Sequence, residues 1–171
     1  MSAPMSGMAK LEALYRAQRQ GLFTYALSLL GDTHQAEDVV HDVFGRLCEL
    51  DIPADDLTAF VYRSVRNRAI DVLRRRRRQA NWAAAQQQAL SIYNAADVRP
   101  ADGLLTAETV RQVQEVLTKL PDIQREVIVL HVHGDLTFDA IGRVLEMPLS
   151  TVASYYRRGL SRMRELMKGK V

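Results

Sequence analysis

Cysteine occurs once in 171 residues, as Cys48. An internal disulfide framework is therefore excluded, and the count fits a reducing compartment. Proline (five) and glycine (nine) are scarce, and so are β-branched runs of strand type. An all-helical fold is the expectation. No uncharged apolar stretch approaches the ~20 residues that span a bilayer. The opening MSAPMSGMAK has no positive start ahead of an apolar core, so no signal peptide is expected. A phosphate-cradling glycine loop, a nucleophile elbow and paired carboxylates with a base are all missing. Catalysis is a poor reading of such a chain. His131 and His133 are two apart in a helical segment, where such neighbours do not share a face. No metal site and no cofactor is expected.

What is present is a soluble globular composition, 47% hydrophobic and 25% charged. The formal net charge of +3 conceals a segregated distribution. Residues 32–56 hold eight acidic side chains and one arginine, net −7. Residues 63–78 hold eight arginines and one aspartate, net +7, with five arginines in succession at 74–78. Residues 143–170 hold seven basic and two acidic side chains, net +5. A basic patch suits a polyanion, and an acidic patch suits a basic partner.

Apolar periodicity places the helices. Leu11, Leu14, Leu22, Tyr25 and Leu29 mark a first helix that stops at Gly31, with Asp32 or Thr33 capping the next. The second helix has an apolar stripe of Ala36, Val39, Val40, Val43, Phe44, Leu47 and Leu50, and Pro53 is expected to end it. Asp38, Asp42 and Glu49 lie nearly in line on its other face. A third helix starts near Leu57, buries Val61, Val65, Ala69, Val72 and Leu73, and runs into the five arginines. Residues 79–106, rich in Ala, Gln and Asn, read as a flexible linker with a helical start near Trp82. Beyond it, Val110, Val113, Val116, Leu117 and Leu120 mark another helix, and Pro121 opens the next as a first-turn proline. Each half is a small helical bundle with little core of its own.

The last two segments form the sharpest motif. LTFDAIGRVLE, the turn MPL and STVASYYRRGLSRMRELMK read as two short helices joined by a tight turn, with Thr137 and Ser150 as caps. Ala140, Ile141, Leu145, Leu149 and Val152 supply the small and apolar contacts of a helix-turn-helix. The second helix then exposes Thr151, Ser154, Tyr155, Arg157 and Arg158, which can reach base edges and phosphates in a major groove. A helical hairpin with a solvated basic face is the plainer alternative. The arginine run exceeds what a helix C-terminus alone would use. The acidic stripe, taken alone, reads as a solvated face.

The order of parts resembles a known family. YALSLLGDTHQAEDVVHDVFGRL, then AFVYRSVRNRAIDVLRRRRR, then LPDIQREVIVLHVHGDLTFDAIGRVLEMPLSTVASYYRRGLSRMREL resemble the extracytoplasmic-function group of sigma-70 family factors of bacterial RNA polymerase. The resemblance implies an all-α chain of two small helical domains. Residues 8–78 would be a region 2-like domain for core polymerase and the −10 element. Residues 79–106 would be the linker, and 107–170 a region 4-like helix-turn-helix domain for the −35 element. It implies that Asp38, His41, Asp42 and Glu49 dock on the clamp helices of the largest polymerase subunit, with the second-largest subunit a further contact. It implies that Phe60, Tyr62, Arg63, Arg66 and Asn67 work on the opened −10 DNA together with Arg74, Arg75 and Arg78. The loop ELDIPADDL would receive a flipped base. Thr151, Ser154, Tyr155, Arg157 and Arg158 would read the −35 element. His41 stands where glutamine is usual, and Ala153 and Tyr155 stand where lysine and arginine are usual.

The implied activity is that of an alternative sigma factor in the bacterial cytoplasm. Its partners are core RNA polymerase and promoter DNA. An anti-sigma factor is a further partner that the family commonly has, and no membrane insertion is expected. The alternative reading is a helix-turn-helix regulator that binds duplex DNA without polymerase. That regulator would leave the acidic helix and the arginine-bearing helix without a use.

Overall fold

In the computed structural model of the chain, residues 7–50, 56–83 and 115–168 are described. Helix α1 (Gly7–Leu30) ends where Gly31 takes φ 66°, its N–H bonded to the Leu27 carbonyl at 2.8 Å. Asp32 caps α2 (Thr33–Leu47), its Oδ1 accepting from the Gln35 N–H at 2.8 Å. Such a cap contributes about 1 kcal/mol. The apolar stripe of α2 from Ala36 to Leu47 is buried. The helix stops at Leu47 and not at Pro53. Glu49 and Leu50 donate to the carbonyls three residues back, which tightens the chain and turns Leu50 off the stripe. Leu50 is 60% exposed, contrary to the expectation that it belongs to the core.

Helix α3 (Leu57–Ala83) closes a three-helix bundle, with Val61, Val65 and Ala69 fully buried against α1 and α2. It continues through the arginine run as far as Ala83, several residues past the change of composition at Gln79. The Arg76 Nη1 donates to the Leu30 carbonyl at 2.9 Å and satisfies an orphan acceptor at the end of α1. Residues 84–114, which hold most of the linker and Val110 and Val113 of the next helix, lie outside the described residues, as does most of the ELDIPADDL loop (51–55).

In the C-terminal half the described residues start with helix at 115–118, where Val116 is buried. Pro121 caps α4 (Asp122–Val132) instead of occupying its first turn, and its carbonyl accepts from Gln124 and Arg125. Thr137 caps α5 (Phe138–Leu145), its Oγ1 accepting from Ala140 at 3.2 Å. Helix α5 ends on Glu146 in the left-handed region, φ 57°. The Met147 N–H folds back to the Gly142 carbonyl at 2.9 Å. A Cβ at Gly142 would lie 2.7 Å from the Met147 carbonyl oxygen, so this turn needs glycine there.

Helix α6 (Leu149–Lys168) starts one residue early, because the Pro148 carbonyl accepts from Thr151 and Val152. Ser150 is therefore inside the first turn and is not the cap. Leu149 is 52% exposed and takes no part in the crossing of α5 with α6, where Val152 packs near Ala140, Ile141 and Leu145. His131 is committed to packing. Its Nδ1 lies 2.8 Å from the Leu136 carbonyl, and its ring meets Phe138 and Tyr156, each at 4.9 Å between centroids.

The two halves do not stand apart. Helices α1 and α3 pack against α4 and α5, and one continuous apolar core runs from Leu22 and Val65 to Val127 and Leu130. Sharing a core offsets the small interior of each half. Among the described residues no helix is long and apolar enough to cross a membrane. The same residues contain no group of three or more His, Cys, Asp and Glu side chains able to hold a metal ion.

Candidate polymerase and nucleic-acid interface

The acidic face of α2 divides in two. Asp38, His41 and Glu49 are exposed. Asp42 is half-buried and engaged, because Arg68 of α3 binds its Oδ2 through Nε and Arg46 approaches its Oδ1 at 3.4 Å. Asp42 therefore joins α2 to α3, whereas Asp38, His41 and Glu49 remain open to a partner.

Helix α3 presents its charges in sectors, since successive residues turn by about 100°. Phe60 is 43% exposed beside Asn67 and Arg63, also on the surface. In the arginine run Arg74, Arg75, Arg77 and Arg78 are exposed, while Arg76 is half-buried and tied to α1. The Arg74–Asp71 pair, at 3.9 Å on the surface, restrains Arg74 little. Tyr62 differs from its neighbours. It is fully buried, its hydroxyl donating to the Gln18 Oε1 at 3.1 Å. Burial, with the charge of Asp135 behind it, pushes the phenol well above its ordinary value. In this arrangement Tyr62 cannot touch DNA.

In the helix-turn-helix, Arg157 and Arg158 are exposed, and Thr151, Ser154 and Tyr155 are half-exposed on the same helix. Arg158 lies over the Tyr155 ring at 6.0 Å, a cation–π contact that limits the freedom of both side chains.

Among the described residues three ion pairs join the halves. Arg66 Nε lies 3.0 Å from Glu126 Oε2, Arg143 Nη1 lies 2.6 Å from Asp56 Oδ2, and Arg63 binds Glu146. The first pair is the most enclosed. Burial raises the Glu126 carboxyl above the usual glutamate range, and Arg66 pulls it back only in part. Burial also works against the Arg66 charge, but Glu126 outweighs it and holds the guanidinium above its ordinary value. The buried Tyr25 hydroxyl lies beside this pair without a hydrogen bond of good geometry, and burial raises it strongly. The backbones of α1 and the end of α4 almost touch. A Cβ at Gly21 would lie 2.5 Å from the His133 carbonyl oxygen and 3.3 Å from the Gly134 Cα.

Comparison with known proteins gives this arrangement a family. The model for sigma-70 region 2 matches residues 14–79, and that for sigma-70 region 4 matches residues 110–163. Together the two matches take in well over half of the chain. It belongs to the sigma-70 family. The chain is 29% identical over 156 residues to the ECF RNA polymerase sigma factor SigW of Bacillus subtilis (strain 168), covering 86% of this chain and 83% of that one. It is 27% identical over 168 residues to the ECF RNA polymerase sigma factor SigK of Mycobacterium bovis (strain BCG / Pasteur 1173P2), covering 93% and 86%. The fold matches the sigma factor RpoE of Bartonella quintana, solved in complex with the anti-sigma factor NepR, with a TM-score of 0.72 and 22% identity. That match covers 93% of this chain and 94% of the other.

In sigma-70 terms, α1 to α3 are region 2, and α4 to α6 belong to region 4. Sequence reasoning did not single out Glu126, Glu146 or Tyr25, and it took Asp56 only as part of the ELDIPADDL loop. A carboxylate in an apolar run (REVIVL) is a signal for Glu126, since Glu is almost never fully buried unless paired. Gly21 in mid-helix is a second signal, because a helix interior tolerates glycine at about 1 kcal/mol and a close approach can justify the cost.

Proposed function

We infer that this chain is an alternative sigma factor that binds core RNA polymerase and directs it to particular promoters. One observation carries the reading. An exposed acidic sector (Asp38, His41, Glu49), an arginine-bearing helix and a basic helix-turn-helix follow one another in one chain, inside the matches to regions 2 and 4. A regulator that binds duplex DNA alone would need only the last of these. Catalysis of polymerisation belongs to the core enzyme, and the chain is not itself an enzyme. Its place of action is the bacterial cytoplasm.

The roles follow from exposure and charge. Asp38, His41 and Glu49 meet the basic clamp of the largest polymerase subunit, and Asp42 supports that face from behind through Arg68. The second-largest subunit is a further contact. Arg74, Arg75 and Arg78 hold the phosphates of the opened −10 region, a contribution that depends on salt and not on sequence. Phe60 offers a face on which an unpaired base can stack, and Asn67 lies near it. Arg63 and Arg66 join this track once released from Glu146 and Glu126. Tyr62 orders the α3 surface from inside the bundle. Thr151, Ser154, Tyr155, Arg157 and Arg158 enter the major groove of the −35 element. An anti-sigma factor fits the same reading as a regulator.

Footprinting on genomic promoter fragments, with and without core polymerase, tests this function. A sigma factor protects promoter DNA only together with core. Protection by the chain alone, unchanged when core is added, would identify a duplex-binding regulator instead.

A further inference from the structure

The side chains that α6 would offer to DNA stand at unequal depths. Val152 and Gly159 are buried and mark the inward side of the helix. Successive residues turn by about 100°, which puts Ser154 roughly opposite Val152 and facing outward. By the same turn Arg157 lies about 60° to one side of Ser154 and Arg158 about 40° to the other. Tyr155 lies about 60° beyond Arg158, back toward the core. Packing agrees with this order, since Tyr155 is half-buried against the core and both arginines are exposed. The Arg158 Cζ lies over the Tyr155 ring, 6.0 Å from its centroid. Among the described residues no carboxylate pairs with Arg158.

A ring and a carboxylate hold an arginine in different ways. A carboxylate takes the N–H edge of the guanidinium, the edge that would otherwise meet O6 and N7 of a guanine. An aromatic face attracts the cation and leaves those N–H groups available. A ring seated on the core also narrows the conformations of the long side chain before it binds, which lowers the ordering cost of the contact.

We propose that Tyr155 is a positioning residue for −35 recognition: its ring, seated on the core, holds Arg158 where that arginine reads one guanine, and Tyr155 makes no base contact of its own. The proposal rests on the reading of α6 as the helix in the −35 groove and divides the labour within it. Arg158 and Tyr155 act as one unit on one base pair. Arg157, on the other side of Ser154, acts independently of both.

Selection from a promoter library randomised across the −35 element, by the full chain assembled with core polymerase, tests the pair. Arg158→Ala should lose roughly tenfold in guanine preference at one position. Tyr155→Leu should lose roughly two- to fivefold at that same position and leave the others as they were. Tyr155→Phe keeps the ring and should retain the preference that Tyr155→Leu loses. Adding Tyr155→Leu to Arg158→Ala should cost nothing further, whereas adding it to Arg157→Ala should give the product of the two single effects. The proposal is overturned if Tyr155→Phe loses as much as Tyr155→Leu, which would make the hydroxyl a base reader. It is equally overturned if Tyr155 and Arg158 act at different positions, if their losses multiply, or if the wild type prefers guanine nowhere. The same library presented without core separates this proposal from the sigma-factor reading. Selection by the chain alone, unchanged by core, would remove that reading and leave the pair to be judged by the same comparison of variants.

Discussion

Asp38 and Asp42 carry the same charge one helical turn apart, and the structure separates their roles. Asp38 is exposed and free to meet a partner, whereas Asp42 is half-buried between Arg68 and Arg46. Reversal to lysine should act differently at the two sites. At Asp38 the substitution is solvent-facing and should move stability by about 0.5 kcal/mol or less. At Asp42 it removes a charge-assisted hydrogen bond, worth about 1.5–3 kcal/mol in protected surroundings. The side chains of Arg68 and Asp42 are 22% and 33% exposed, so solvent screening brings the expected loss to about 1–2 kcal/mol. For a chain of this size each kcal/mol shifts the melting temperature by about 2–4 °C. Asp42→Lys should therefore melt roughly 2–8 °C below wild type, and Asp38→Lys within about 2 °C of it. Native-gel assembly with core polymerase supplies the second axis. Asp38→Lys should lose core affinity at full stability, and Asp42→Lys should lose both. Equal melting temperatures for the two variants would refute the division, as would Asp38→Lys assembling with core as wild type does.

The remaining predictions follow the same separation of structure from contact. Arg76→Ala exposes the Leu30 carbonyl and should cost about 1 kcal/mol in thermal unfolding. Arg74→Ala with Arg78→Ala should leave the melt unchanged and lower the salt slope of open-complex formation by about 0.7 per lost contact. In the recognition helix, Arg157→Ala and Tyr155→Ala should alter promoter selection from a randomised −35 library, by about 1–3 kcal/mol where a base contact is lost. Unaltered selection in both would show that α6 is not the reading helix. Glu126 sets a pH dependence. Its native carboxyl titrates above the ordinary value of 4.5, so the native state takes up a proton before the unfolded chain does. Acidifying from neutrality through that raised value toward 4.5 should stabilise wild type relative to Glu126→Gln, which has no proton to gain. Melts of both proteins across that range check the sign.

Much of the fold was legible because its signals are local. Gly31 and Asp32 separate α1 from α2, Thr137 opens α5, and the period of Val39, Val43 and Leu47 sets the buried face of α2. The errors arose where a pattern was extended past the element that supported it. Leu50 and Leu149 continue an apolar period, but backbone bonds at Glu49 and at Pro148 had already changed the chain direction. Ser150 is a good cap by type, but the Pro148 carbonyl reached the first amides before it. The long-range pairs were not legible at all. Nothing near Arg66 in the sequence indicates Glu126, sixty residues on. The burial of Tyr62 depends on Gly134 from the other half of the chain. Charge segregation revealed that opposite surfaces exist, but not that the chain would satisfy part of one with the other.

The central claim is that promoter recognition by this chain depends on core RNA polymerase. Run-off transcription from genomic promoter fragments, with purified chain and core polymerase combined and each alone, measures it directly. Specific transcripts should appear only in the combined reaction and should be lost with Asp38→Lys. Transcripts of equal strength and start site from core without the chain would contradict the account.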